Sequence, residues 1–125
     1  GMVHALLNIS SYNHLLGHPV VGGSWEGFVI ENILSVAPAG MQAFYYGTPG
    51  GAEIDLVLEF SAGEKWAIEI KRSSSPSLSK GVHIACQDVK PQKRYIVYAG
   101  QERFALTEDI TAIPLPHLME EVLAR

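Results

Sequence analysis

The chain has 125 residues, 47% of them hydrophobic, which suits one packed core and argues against disorder. Its 13 acidic residues outnumber the 9 basic ones, giving a formal charge of −4; this argues against strong, autonomous, non-specific nucleic-acid binding, which needs a basic footprint, but leaves room for a local basic patch. Cys86 is the lone cysteine, so there is no internal disulfide and no zinc-type cysteine spacing, and a reducing cytoplasm is the expected compartment. No apolar run approaches the roughly 20 residues of a membrane span, and the start lacks a signal-peptide pattern, so no membrane association is expected. Gly1 before Met2 reads as a tag remnant, and residues 1–125 read as a single domain.

Leu6, Leu7, Ile9, Tyr12, Leu15 and Leu16 have a roughly helical spacing that Ser10, Ser11 and Asn13 weaken, so residues 2–16 read as the remnant of a longer N-terminal region. Gly17-His18-Pro19 and the glycine pair after it predict a rigid turn leading into a stronger helix. Ser24 is a good N-cap, Trp25, Phe28, Val29, Asn32, Ile33 and Val36 follow at helical intervals, and Pro38 with Gly40 ends the run. Strands are predicted at 42–46, 53–60 and 65–71, the last two joined by a tight turn over Ser61-Ala62-Gly63-Glu64. A polar loop from Ser73 to Ser79 leads to a helix at about 78–89, despite Gly81, and Pro91 ends it. A buried-type strand follows at 95–98, then a weaker one at 111–115, then a helix from His117 to Ala124 behind Pro116. A helical crossover between strands places them parallel, so the expected class is α/β with a mixed sheet flanked by helices.

The chemistry concentrates on two of these strands. Alternation puts Glu69 and Lys71 on one face of their strand, opposite Ile68 and Ile70; it likewise puts Asp55 with Val57, opposite Ile54, Leu56 and Leu58. A register that sets Asp55 beside Glu69 would bring two carboxylates and an amine together. Carboxylates among apolar neighbours are costly without a compensating charge, and hard divalent cations want oxygen ligands. Asp55, Glu69 and the backbone carbonyl of Ile70 would hold magnesium or manganese, with Glu26 as an auxiliary ligand and Lys71 steadying charge on a phosphate. The alternative for Asp55, Glu69 and Lys71 is a strand-pair salt bridge of modest worth; for Glu26 it is a charge favoured by the helix dipole.

Ile54-Asp55 followed, after thirteen intervening residues, by Glu69-Ile70-Lys71 resembles the PD-(D/E)XK nuclease superfamily, with Ile54 where the motif name has a proline. That resemblance implies a restriction-endonuclease-like core of helix, three-strand meander, helix and strand. Ser24-Trp25-Glu26-Gly27-Phe28, Gly51-Ala52-Glu53-Ile54-Asp55-Leu56 and Glu69-Ile70-Lys71-Arg72-Ser73, with His4-Ala5-Leu6-Leu7 and His18-Pro19-Val20-Val21-Gly22, look like one family in particular. It is the nuclease-like C-terminal domain, of unknown function, of prokaryotic AAA-type ATP-binding proteins. The resemblance implies a preceding ATPase module, yet no Gly-x-x-x-x-Gly-Lys-Ser/Thr loop occurs in the chain, so a fragment, truncated product or separated domain is expected.

Two functions follow as expectations. One is metal-dependent hydrolysis of phosphodiester bonds, DNA favoured, with Asp55, Glu69, Lys71 and Glu26 at its centre. The other is a non-catalytic module docking DNA or a protein partner beside an ATPase. Arg72, Lys80, Lys90, Lys93 and Arg94 would hold phosphates or serve as ordinary surface charge. His83 and Gln87, one turn apart, read as surface residues, and Trp25 and Trp66 as core. Apolar leucines left bare near the N-terminus would favour a homo-oligomer.

Overall fold

The computed structural model describes residues 24–74 and 80–125. The helical spacing expected over residues 2–16, the turn expected at Gly17-His18-Pro19, the apolar N-terminal leucines and most of the loop expected at Ser73 to Ser79 lie outside them. The described residues form helix α1 (Trp25–Ser35), strands β1 (Gln42–Gly47), β2 (Glu53–Glu59) and β3 (Lys65–Ile70), helix α2 (Lys80–Val89), strands β4 (Lys93–Val97), β5 (Phe104–Ala105) and β6 (Ile110–Ile113), and helix α3 (Leu115–Leu123). They build one six-stranded mixed sheet in the order β1-β2-β3-β4-β6-β5. The β1-β2-β3 meander is antiparallel, while β4 lies parallel to β3 and β6 parallel to β4. The expected mixed α/β class is therefore found. Sequence reading missed β5, a two-residue strand with no periodicity to detect.

Ser24 caps α1 by accepting a hydrogen bond from the Gly27 N–H at 3.0 Å, satisfying one of the orphan donors of the first turn. The final helix starts at Leu115, two residues before the expected His117, because Pro114 takes the N-cap position in extended backbone and Pro116 sits inside the first turn.

Two cores lie on opposite faces of the sheet. On one face Leu56, Leu58, Trp66, Ile68 and Ile70 pack against Val29, Ile30 and Ile33 of α1 and Leu118 and Val122 of α3. On the other, Ile54, Val57 and Ala67 pack against Val82, Ala85 and Cys86 of α2. Gly81 is what lets α2 come this close, since a Cβ there would stand 2.8 Å from the Gly51 carbonyl oxygen.

Strict alternation had put Ile54 with Leu56 and Leu58, yet it packs with Val57 on the α2 face. The pairs Phe44↔Val57 and Tyr46↔Ile54 leave one residue on β1 opposite two, Asp55 and Leu56, on β2. That is a β-bulge, which flips the parity and re-aims the side chains around it.

Candidate functional site

Glu69 and Ala67 share the face of β3 covered by α2, so Glu69 enters that layer as a charged side chain and is only 4% exposed. Its Oε1 stands 2.8 Å from Nζ of Lys71, whose side chain keeps 33% of its exposure. Its Oε2 is buried with no hydrogen-bond partner. A buried carboxylate with one shared oxygen and one orphan is a high-energy arrangement, since desolvation outweighs a single ion pair unless further bonds complete it.

The bulge supplies the second acid. The β2–β3 ladder runs from Glu59↔Lys65 to Leu56↔Ile68. Beyond it the Asp55 side chain replaces the strand partner, its Oδ2 accepting the Ile70 N–H at 2.8 Å. Burial raises the Asp55 carboxyl above its ordinary value of 3.8; the Ile70 hydrogen bond opposes that rise, Glu69 adds to it, and Lys71 opposes it.

The third acid comes from α1. Trp25 Nε1 donates to the Lys71 carbonyl at 2.9 Å, which seats the first turn of α1 on the exit of β3. Glu26, in that turn, has its carboxyl raised by burial first and then by the charges of Asp55 and Glu53. Tyr45, on β1 beside the bulge, donates its hydroxyl to Glu53 Oε2 at 2.8 Å. Its own ionisation is pushed up to about 12, chiefly by that hydrogen bond, then by burial and the charges of Glu53, Asp55 and Glu26. This end of the sheet thus gathers four acids around one ammonium.

The structure brings Asp55, Glu69 and Lys71 together, with Glu26 close enough to feel Asp55. Ile70 contributes its N–H, to Asp55. Glu53 is exposed and belongs to the same acidic end. The donors are oxygens and their charge is in excess, which fits a hard divalent cation in kind. Among the described residues, however, no group of three or more His, Cys, Asp or Glu side chains is close enough to enclose a metal ion. The fit is one of charge and donor type.

Trp66 is fully buried and Trp25 packs against the core, both as expected. His83 and Gln87 are exposed on α2, on a groove shared with Lys90, Arg94 and Asp109. Sequence reasoning missed Tyr45, which the bulge brings to the acids, and Cys86, which approaches Glu69 from α2; it read Arg94 as a phosphate holder or surface charge, and missed its approach to Glu69 from β4. No local pattern signals any of the three, because each contact depends on cross-strand register.

Among the described residues no helix is long and apolar enough to cross a membrane. No solved structure matches the chain significantly. Two curated relatives are each 37% identical over 119 residues: uncharacterized protein Rv2008c of Mycobacterium tuberculosis and uncharacterized protein Mb2031c of Mycobacterium bovis. The match covers 95% of this chain and 26% of each relative, so the chain spans about a quarter of their length. A family model, the domain of unknown function DUF4143, matches residues 21–118. The chain belongs to the DUF4143 family.

Proposed function

We propose that this domain is a metal-dependent nuclease module hydrolysing DNA phosphodiester bonds, and that the series α1-β1-β2-β3-α2-β4 is a restriction-endonuclease-like core. The observation that carries the reading is the buried Glu69 paired with Lys71 at 2.8 Å, on a strand exit whose Ile70 N–H is held by Asp55. Ion pairs at the surface are worth little, and burying a carboxylate costs more than one ion pair returns, so the burial of Glu69 supports a functional role.

In this reading Asp55 and Glu69 would hold magnesium or manganese, helped by the Ile70 carbonyl and, at the rim, by Glu26. Such an ion, when bound, would supply an activated water and offset phosphate charge. Lys71, a third exposed, can face both Glu69 and a phosphate, and steadies the charge that develops when water attacks phosphorus. Asp55 fixes the Ile70 backbone, and Trp25 fixes the Lys71 backbone, so both site residues of β3 are anchored from outside their own strand. An AAA-type ATPase, the partner implied by the resemblance, would present the DNA.

The second reading, a docking module without catalysis, draws on the net charge of −4 and on the loose spacing of the acids. Nicking of supercoiled plasmid with manganese or magnesium separates the two. Cleavage by the wild type, lost in both Asp55→Ala and Lys71→Ala, is the expected result. No cleavage, or equal cleavage by all three, would remove the nuclease reading and leave the docking module.

A further inference from the structure

We infer that Arg94 is the internal counter-charge of Glu69 and a positioning residue for its carboxylate, the two joined by a single water molecule enclosed beneath α2. Glu69 Oε2 and Arg94 Nη2 are both buried and both lack a hydrogen-bond partner. Each of these two atoms carries a desolvation cost that a shared bridge would remove. The two side chains line the same small cavity, of about 10 Å³, together with Cys86, Val82 and Ile96. That is about the volume one water needs, and a water needs two to four polar partners. Glu69 Oε2, Arg94 Nη2 and the Cys86 thiol make three.

The register explains why the three converge. Arg94 pairs with Ala67 and Ile96 with Glu69 on the parallel β3–β4 ladder, so Arg94 lies on the α2 face two residues behind Glu69. Its long side chain covers that distance along the strand. Cys86 sits between them: burial raises its thiol, Arg94 opposes the rise by charge and by a hydrogen bond, and the charge of Glu69 adds to it. The other side of Arg94 opens on the groove of about 540 Å³ that also borders Lys90 and Asp109. Arg94, like Cys86 and Tyr95, borders both the inner cavity and that groove. With Lys71 on Oε1 and the bridge on Oε2, the carboxylate of Glu69 is held at both oxygens. The bridge stands apart from the nuclease reading; its value for metal binding rests on that reading.

Three measurements test it. A high-resolution crystal structure of the wild-type protein is expected to show one ordered water within hydrogen-bonding distance of Glu69 Oε2 and Arg94 Nη2. A dry cavity, a direct Arg94–Glu69 ion pair, or an Arg94 side chain turned into the groove would overturn the bridge. Urea unfolding of wild type, Glu69→Gln, Arg94→Met and the double variant forms a cycle. Coupling of at least about threefold in the unfolding constant is expected at pH 7. The other ionisable groups facing Glu69, namely Lys71, Asp55 and Cys86, are common to all four proteins and cancel. Effects that multiply to within less than about threefold would refute the coupling. Calorimetric titration with manganese is expected to give at least about tenfold weaker binding in Arg94→Met than in wild type, with Arg94→Lys recovering part of the loss. Unchanged affinity in Arg94→Met would deny the positioning role. A wild type that binds no manganese would sink the nuclease reading, while the water and the cycle still decide the bridge.

Discussion

Against α1 and α3 the sheet buries Trp66, Leu56, Leu58, Ile68 and Val97; against α2 it buries the smaller set Ile54, Val57 and Ala67 together with Glu69, the one charged residue fully buried among those described. The first face is ordinary close packing, with Trp66 edge-on to Phe60 at 4.7 Å and to Tyr95 at 5.4 Å. The second gives up apolar volume to seat a carboxylate, an arginine and a thiol. One layer holds the fold, then, and the other gives up part of that stability to polar chemistry, so removing a buried ring from the first should cost stability while removing a buried charge beside the second should add it.

The largest expected effect is on the apolar face. Trp66→Ala removes a fully buried ring, its hydrogen bond to Glu64 Oε2 at 2.8 Å and the Lys93 ammonium stacked over it at 5.0 Å. A loss of about 3–5 kcal/mol in urea unfolding is expected. A loss below about 1 kcal/mol would mean that this face does not carry the fold.

At the acidic end the sign reverses. Asp55→Asn keeps an oxygen to accept the Ile70 N–H and removes the charge that burial disfavours. Because the folded carboxyl lies above the unfolded value, the folded protein holds that proton more tightly. The penalty is absent below the unfolded value, grows as pH rises between the two values and is fully present above the folded one. Asp55→Asn is therefore expected to raise stability at pH 7 by on the order of 1 kcal/mol, with the gain fading toward pH 3. Destabilisation at pH 7 would show that the carboxylate is satisfied in the fold.

The element order, the 61–64 turn and the N-cap at Ser24 were legible because each rests on local chemistry: an alternating run, a glycine turn, a hydroxyl before an apolar repeat. Asp55, Glu69 and Lys71 were legible as a group because a two-residue period and a short hairpin limit where they can go. The bulge was not, since Ile54-Asp55-Leu56-Val57 alternates as well in a regular strand as in a bulged one, and the extra residue is visible only against β1. With the bulge went Ile54's true face and the approach of Tyr45. Arg94 and Cys86 were hidden for a related reason, because a parallel β3–β4 register, set by packing across α2, decides what they meet.

The smallest effect tests the joint between the two layers. Helix α1 belongs to the apolar layer, yet its first turn carries Glu26 to the acids, and the Trp25 Nε1 hydrogen bond to the Lys71 carbonyl is what ties that turn to the exit of β3. Trp25→Phe keeps an aromatic ring beside Phe28, whose centroid lies 5.9 Å away, and deletes the bond. A loss of about 1 kcal/mol is expected for a partly buried hydrogen bond, together with faster amide hydrogen exchange in the first turn of α1 and unchanged exchange in Ile30 and Ile33. Such a local loosening separates the joint from the core it rests on, because the buried residues of α1 keep their contacts with the sheet. Uniform acceleration along α1 would instead make Trp25 a packing residue like any other, and Glu26 would owe its place to the apolar face alone.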